Sequence, residues 1–329
     1  MQMKSIIGQH AKSQLADLCT KERGHAFVIL GARGIGKKTF AREIAKGILC
    51  LSSSHEGACD SCAHCKYFNE GVHPDFKELL IPEGERGIKV ETVRSKICAD
   101  ASVYPQLSSQ KVYLIEGDGL NEQGQNALLK TLEEPPQGVC FLLTGTDSEN
   151  FLPTILSRSQ QIFLKPNTEN EILQLLKERF SLPEDEALFI ARFSEGIPGR
   201  AIELAASPWF KDLRINAAKI FFQIPEMTKT KRLTDVYKFF EDNKDYVIEI
   251  LSIWQNLLRD LFLYENGNGD LNVINTDFLQ MIRTVKRDNQ WTDKKMSEAA
   301  LALRKAFSAL QANSSFESTI CALLLAMYR

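Results

Sequence analysis

The sequence predicts an α/β domain, a parallel β-sheet with helices on both faces, followed by a region made only of helices. Over residues 1–165, short apolar runs of strand length alternate with amphipathic helical patterns, which is typical of such a sheet. A glycine-rich segment separates the first apolar run from the first helical pattern. Beyond residue 165, apolar residues recur only at helical spacing. We therefore predict an α/β core over 1–165, a short helical segment over 166–207 and a helical C-terminal domain over 208–329.

The glycine-rich segment, residues 31–39, reads Gly-Ala-Arg-Gly-Ile-Gly-Lys-Lys-Thr and matches the phosphate-binding P-loop pattern. Glycines allow successive backbone N–H groups to face an anion, and the lysine at the end of the pattern reaches the outer phosphates. The next position normally carries a Ser or Thr that holds magnesium, but here it is a second lysine. The candidate nucleotide-binding residues of this loop are Gly31, Gly34, Gly36, Lys37, Lys38 and Thr39.

Two of these residues decide how complete the nucleotide site is. Lys38 stands where the magnesium hydroxyl is expected, and Thr39 comes one place later and points elsewhere on the helix. Near the start of the chain, Ile6 and Ile7 before a Gly-Gln turn could cover an adenine ring. The sequence thus predicts a nucleotide-binding loop, with ATP and Mg²⁺ as candidate ligands, that lacks its usual magnesium ligand.

Four cysteines follow the first helical pattern and predict a metal site. They are separated by gaps of eight, two and two residues, and such spacing lets four thiolates surround one zinc ion. The intervening segment 52–57 is too polar to form a core, so the metal would supply the order, as a structural site. Loop thiols without a metal are the alternative, and His55 or His64 could replace a thiol ligand. The predicted Zn²⁺ ligands are Cys50, Cys59, Cys62 and Cys65.

Residues 111–118 read as a buried strand that ends in acids. In P-loop ATPases an acid at this place holds magnesium, and its neighbour activates water. Glu116 can take the first role, but the neighbouring position is Gly117. Asp118 would lie on the side of Glu116 only if the strand continued past it. The alternative for these acids is a solvated strand end.

Three features together resemble the clamp-loader subunits of bacterial DNA polymerase III, which belong to the AAA+ superfamily. They are the four-cysteine module after the P-loop helix, the block Asn-Ala-Leu-Leu-Lys-Thr-Leu-Glu-Glu-Pro-Pro at 126–136, and Thr-Ile-Leu-Ser-Arg at 154–158. The resemblance covers residues 1 to about 207 by motif. It implies an AAA+ core with a zinc-binding insertion, a helical lid over 166–207 and a C-terminal collar that joins partner subunits.

The resemblance also implies roles for residues outside the loop. Ser157 and Arg158 resemble the motif whose arginine enters the ATP site of a neighbouring subunit, although Ser159 replaces its cysteine. A surface ion pair is the alternative for Arg158. Arg200 resembles the second sensor, which contacts nucleotide within its own chain, and a helix-capping cation is the alternative. The first sensor is Thr144 or Thr146.

Its partners are implied in the same way. The resemblance places the chain in a hetero-oligomeric ring with gamma/tau and delta subunits, which loads a sliding clamp on primed DNA during replication. Lys38 and Gly117 depart from an active ATPase and favour the delta-prime type, a subunit that does not hydrolyse ATP. The alternative is a gamma/tau motor, which should keep Ser or Thr at 38 and an acid at 117. A zinc-bearing DNA-binding module is a third hypothesis, and the net charge of −2 argues against it as the sole role.

Composition agrees with these expectations. The 329 residues are 44% hydrophobic and 25% charged, as in an ordinary globular protein. No apolar run reaches about 18 residues, and the N-terminus has no signal-peptide core. We therefore expect a cytoplasmic protein with no membrane association, whose thiols stay reduced.

Overall fold

A computed structural model describes residues 24–54, 57–265, 273–288 and 290–327. The predicted adenine cover at Ile6 and Ile7, and the alternative ligand His55, lie outside these ranges. Within them, none of the helices combines the length and the apolar character that crossing a membrane requires.

Five parallel strands form one sheet. In spatial order the strands are β2, β3, β4, β1 and β5, and every neighbouring pair is parallel. The strand bounds are β1 Ala26–Leu30, β2 Phe76–Leu79, β3 Lys111–Glu116, β4 Val139–Gly145 and β5 Gln160–Phe163. Strands β1 and β4 are buried along their whole length, as expected for a parallel sheet covered on both sides. The predicted α/β architecture is confirmed.

Helices pack on both faces of the sheet because alternate strand residues point to opposite sides. Phe27 and Ile29 of β1 belong to the core formed with the P-loop helix, whereas Val28 and Leu30 belong to the core on the other face. The helices of this part of the chain are α1 Lys37–Leu49, α2 Ala63–Asn69, α3 Val90–Val93 with its continuation Arg94–Cys98 and Ala99–Ala101, α4 Glu122–Glu133, α5 Pro153–Leu156 and α6 Glu169–Arg179.

The rest of the chain is helical in its described residues. Its longer helices are α7 Glu184–Phe193, α8 Pro198–Ala206, α9 Pro208–Gln223, α10 Lys229–Lys231 continued by Arg232–Val236 and Tyr237–Asp242, α11 Val247–Glu265, α12 Leu279–Arg287, α13 Asp293–Gln311 and α14 Phe316–Ala326. Apolar stripes predicted from helical spacing are buried, for example Leu257 and Leu261 of α11. These helices are therefore held by their core faces, as predicted.

A buried polar network also ties these helices together. The Arg214 guanidinium donates two bonds of 2.7 Å to the carboxylate of Asp277 and one of 3.0 Å to Asn275 Oδ1. Asn275 in turn donates to the buried Asp260 carboxylate through its backbone N–H and its amide. Every charged group of this network has a partner of opposite charge or a hydrogen bond, as burial requires.

The chain divides into two compact units. Unit 1 comprises residues 1–179 and 194–202, and unit 2 comprises 180–193 and 203–329. The sheet, its helices and the start of α8 are in unit 1, and the helical C-terminal part is in unit 2. The three-part division at 165 and 207 stays a prediction.

Candidate functional site

The P-loop joins β1 to α1, so the predicted order of strand, loop and helix is confirmed. Gly34 has a φ of 82° and Gly36, the N-cap of α1, has a φ of 102°. Side-chain-bearing residues rarely adopt this left-handed region, so the path of the loop requires glycine at both positions. The first turn of the 13-residue helix α1 follows directly, with its positive dipole end toward the loop.

Lys37 lies folded over this loop. Its ammonium donates to the carbonyl oxygens of Gly31 at 2.7 Å and Ala32 at 3.1 Å. Burial lowers the pKa of Lys37 below its usual value, while the carboxylates of Asp118 and Glu116 act in the opposite direction. The side chain is therefore at the mouth of the loop, within reach of a phosphate that replaces the two carbonyls.

Lys38 forms an ion pair with Glu116. Its Nζ lies 2.9 Å from Glu116 Oε1, and the two side chains are 45% and 18% exposed. The other carboxylate oxygen, Oε2, accepts a hydrogen bond of 3.0 Å from the backbone N–H of Ile81. Both oxygens of the predicted magnesium acid therefore already have donors, and one of these donors comes from the position that should carry a hydroxyl.

These residues do not fit a magnesium ion of the kind that P-loop ATPases hold. Mg²⁺ needs near-octahedral oxygen ligands at about 2.0–2.1 Å, and a hydroxyl next to the P-loop lysine normally contributes one of them. Lys38 offers no lone pair and places a positive charge against the acid, while Thr39 is exposed on α1. The loop keeps its phosphate-binding features without a place for the metal.

Gly117 is enclosed by an aromatic ring, which the sequence did not reveal. A Cβ on Gly117 would lie 2.5 Å from Cε1 and Cζ of Phe151 and 3.0 Å from the carbonyl oxygen of Thr144. The Phe151 side chain is only 4% exposed and belongs to the core beneath the sheet. The space that a water-activating Glu would need at 117 is therefore filled, and glycine follows from packing.

The buried side-chain amide of Gln125 holds the backbone on both sides of Phe151. Gln125 of α4 donates through Nε2 to the carbonyl oxygen of Asn150 at 2.8 Å and accepts through Oε1 from the backbone N–H of Leu152 at 2.8 Å. These two bonds hold the residues on either side of Phe151. Gln125 is itself buried, so the ring has little freedom to leave.

Asp118 does not replace the missing acid. The extended chain ends at Glu116, and residues 117–119 form a 3₁₀ turn, so the condition for Asp118 to join Glu116 is not met. The Asp118 carboxylate accepts bonds from the backbone N–H of Thr146 at 2.9 Å, from the Thr146 hydroxyl at 3.1 Å and from Asn150 at 3.0 Å. It stabilises the loop after β4, which contains the exposed Thr146. The other candidate first sensor, Thr144, is buried within β4.

The backbone of Arg200 lies beside the P-loop. The backbone N–H of Gly199 donates to the carbonyl oxygen of Gly34 at 2.9 Å, and Arg200 is the next residue, in the first turn of α8. A Cβ on Gly199 would lie 2.8 Å from that carbonyl oxygen, so the two backbones touch directly. This contact places Arg200 at the edge of the loop, and its role as second sensor stays a prediction.

Ser157 and Arg158 form a second group, at the end of α5. The guanidinium donates to the carbonyl oxygen of Thr154 at 3.0 Å and to the Ser157 hydroxyl at 3.2 Å. Its other terminal nitrogen lies 2.7 Å from Glu133 Oε1, with side chains 35% and 47% exposed. Arg158 is thus oriented and still accessible, and its action on a neighbouring nucleotide stays a prediction. The partner Glu133 was missed by sequence reasoning, although it lies inside the motif at 126–136.

The four cysteines come together in space. The sulfur atoms of Cys50, Cys59, Cys62 and Cys65 all lie within 4.8 Å of one another, with 4.0 Å between those of Cys50 and Cys62. Zinc–sulfur bonds of about 2.3 Å in a tetrahedron put the sulfurs roughly 3.8 Å apart, so the cluster fits one zinc ion after a small contraction. His64 is buried against His73 instead of completing the set.

Backbone donors surround these sulfurs, as in thiolate sites. Cys59 N–H donates to Cys50 Sγ at 3.2 Å, and Cys62 N–H donates to Cys59 Sγ at 3.4 Å. Hydrogen bonds from Ser61 and Cys62 lower the pKa of the Cys59 thiol to about 6, whereas burial raises the pKa values of Cys50 and Cys65. A bound cation would deprotonate all four thiols, because coordination outweighs burial.

The module is also attached to the P-loop helix. Cys50 caps the C-terminus of α1, Cys62 caps the N-terminus of α2, and Lys46 of α1 forms an ion pair with Asp60. Asp60 has a positive φ of 57°, and an antiparallel bridge joins Ser54 to Gly57. Few apolar side chains support this tight turn, so a metal would contribute much of its stability.

We expect the purified chain to carry one zinc ion and the substitution Cys62→Ser to abolish binding. Serine is a favourable N-cap residue, so the start of α2 should survive and the loss should report on the metal. Atomic emission gives the zinc content, and thermal melting should fall by several degrees, since about 1 kcal/mol corresponds to roughly 2–4 °C. Cys98→Ser is the control, because its thiol only donates to the carbonyl of Ala127. If the Cys62→Ser variant lacked zinc but melted at the same temperature as the parent chain, the prediction would be contradicted.

The structure therefore brings the predicted residues into three groups. The P-loop lies beside Glu116 and Arg200, Ser157 and Arg158 lie with Glu133, and the cysteines form a separate cluster. Phe151, Gln125 and Glu133 were not singled out from the sequence, because their importance depends on contacts between distant segments. Only the position of Glu133 within a recognised motif could have drawn attention to it.

A protein family described as "DNA polymerase III, delta subunit" matches residues 8–168. The tau subunit of DNA polymerase III from Escherichia coli is 35% identical over 207 residues, covering 60% of this chain and 32% of that protein. The delta′ subunit from the same organism is 30% identical over 181 residues, covering 55% and 54%. The delta′ subunit from Pseudomonas aeruginosa is 37% identical over 141 residues, covering 43% and 43%. The chain spans about half or less of the length of these relatives.

Among solved structures, a gamma subunit-related protein of DNA polymerase III from Thermotoga maritima is similar, with a TM-score of 0.47 and 18% sequence identity. The match covers 96% of this chain and 98% of that one. Likeness at this level says nothing about function.

The sequence matches converge on one group of proteins. The sheet, the P-loop, the cysteine cluster and Arg158 all lie within residues 8–168. The relatives named above are DNA polymerase III subunits of two types, and their identities to this chain overlap. Residues 8–168 therefore match a DNA polymerase III subunit family, and the relatives support a clamp-loader family member.

Proposed function

We propose that this chain is a clamp-loader subunit of the delta-prime type, which does not hydrolyse ATP and supplies Arg158 to the nucleotide site of a neighbouring subunit. The ion pair between Lys38 and Glu116 is the observation that carries the proposal, because it occupies the place of the catalytic metal. The enclosure of Gly117 by Phe151 supports it independently, since no acid can activate water there. Phosphoryl transfer needs both parts at once.

The role of Arg158 in this proposal rests on its geometry and charge. One terminal nitrogen of the guanidinium donates to Thr154 and Ser157, the other pairs with Glu133, and the Arg158 side chain is 35% exposed. A planar cation that is oriented and accessible suits the stabilisation of charge on a phosphoryl group that another subunit holds. In the assembled ring, phosphate oxygens would replace the carboxylate of Glu133.

The remaining parts of the proposal come from the family. Its partners would be gamma/tau and delta subunits, its helical C-terminal part would join the collar of the ring, and the complex would load a sliding clamp on primed DNA. A structural zinc ion would stabilise the cysteine module. The competing function is a gamma/tau motor, and it requires hydrolysis at the chain's own P-loop.

ATP turnover of the chain alone and in mixtures tests the proposal. We expect background turnover from the chain alone, and a clear rise when it is added to gamma/tau and delta subunits with clamp and primed DNA. Magnesium-dependent hydrolysis by the isolated chain that disappears in Lys37→Ala would favour the motor instead. No rise in the mixture, with assembly confirmed by gel filtration, would contradict the supply of an arginine.

A further inference from the structure

The P-loop keeps its glycines and Lys37, and the side chain of Lys38 lies between the loop and the neighbouring acid Glu116. Lys38 Nζ is 2.9 Å from Glu116 Oε1, and Glu116 is held on its other side by the N–H of Ile81. The ammonium therefore lies between the start of α1 and the end of β3. A divalent ion in a P-loop site lies between the same two elements.

The charges around the loop favour an anion without added metal. The loop carries three cations, Lys37, Lys38 and the exposed Arg33. The acids nearby are Glu116 and Asp118. Glu116 is paired with Lys38, whereas Asp118 accepts bonds from the neutral groups of Thr146 and Asn150 and keeps its charge, which acts on Lys37. Among these described residues, the three cations Arg33, Lys37 and Lys38 outnumber the two carboxylates, so a polyphosphate would meet a net positive charge.

We propose that the loop at 31–39 binds a nucleoside di- or triphosphate in its metal-free form, with the ammonium of Lys38 in place of the divalent cation. Lys37 would exchange the carbonyls of Gly31 and Ala32 for phosphate oxygens, and Lys38 would contact phosphate while it stays beside Glu116. No bond in the ligand breaks, so the nucleotide stabilises the fold and is not turned over. This binding does not depend on the proposed role of Arg158 in the nucleotide site of a neighbouring subunit.

Binding of ADP and ATP to the isolated chain, measured by titration calorimetry in excess MgCl₂ and in excess EDTA, tests the proposal. We expect a lower Kd in EDTA than in MgCl₂, because Mg²⁺ in solution competes with the loop for the metal-free nucleotide. The substitution Lys38→Thr should weaken binding in EDTA by about tenfold or more, since one charge-assisted contact is lost, and Mg²⁺ should restore it. Bound Mn²⁺, detected by electron paramagnetic resonance with ADP present, should appear only in this variant.

Two further variants separate the role of Lys38 from general effects of charge. Lys211→Thr removes a lysine from a similar 2.9 Å pair with Glu186 in unit 2, and it should leave both Kd values unchanged. Glu116→Gln should keep or tighten metal-free binding, whereas a metal-dependent site would be weakened by it. Binding by the parent chain only with Mg²⁺, or no binding in either buffer, would overturn the proposal. These outcomes leave the ring experiment on Arg158 unaffected.

Discussion

Replacing Arg158 by alanine should leave the chain folded and able to assemble, but should lower ATP turnover at the neighbouring site that we propose it serves by about 10³-fold or more. The guanidinium would otherwise neutralise charge that develops on the transferred phosphoryl group. Its present ion pair with Glu133 is exposed, and such pairs contribute roughly 0–1 kcal/mol to stability. Turnover by the reconstituted ring, measured with clamp and primed DNA, gives the result.

Three matched variants make this result specific. Arg158→Lys keeps the charge but loses the planar fork, so it should recover only part of the turnover. Glu133→Gln removes the resting partner and keeps the guanidinium, so turnover should be retained. Arg287→Ala removes another exposed arginine, paired with Asp288 at 3.1 Å, and should have no effect. Equal loss in Glu133→Gln and Arg158→Ala would point to a structural role and contradict the assignment.

Restoring an acid by Gly117→Glu should destabilise the chain and should not create an ATPase. The new Cβ would lie 2.5 Å from the Phe151 ring, and overpacking of this kind costs about 1–3 kcal/mol. Burying a carboxylate adds to that cost, so a total loss of about 3 kcal/mol and a fall in melting temperature of roughly 6–12 °C are expected. Turnover should stay at background because Lys38 still occupies the metal position.

The contribution of the ring can be isolated by a double-mutant cycle. Phe151→Ala alone should cost about 3–5 kcal/mol by leaving a cavity. The double variant should lose about 1–3 kcal/mol less stability than the sum of the two single losses, because the new side chain uses the vacated space. Gly24→Glu is the control, since a Cβ there meets nothing closer than 3.9 Å. Strict additivity would show that Phe151 does not restrict position 117.

Local patterns in the sequence predicted much of this molecule. The strand, loop and helix at 26–49 follow from apolar spacing and glycine, and the cysteine cluster follows from short gaps that keep the ligands close. The absence of a hydroxyl at 38 and of an acid at 117 was also visible. These features depend on residues that are near one another in the chain.

Contacts across the sheet could not be predicted in the same way. Lys38 and Glu116 are far apart in sequence, and they meet only because α1 packs over β3. The same holds for Phe151 over Gly117, where the identity of the residue gives no hint of its target. The sequence therefore showed what the nucleotide site lacks, and the folded chain shows what fills the space.

The close approach of Gly34 to Gly199 has a mechanical consequence. Peptide groups, and not flexible side chains, are in contact at this point, and a 2.9 Å hydrogen bond connects them directly. A displacement of Gly34 would therefore be expected to move the first turn of α8, and Arg200 with it. Binding of a phosphate at the loop would therefore change the position of Arg200 through the backbone contact between Gly34 and Gly199, without a chain of side-chain contacts.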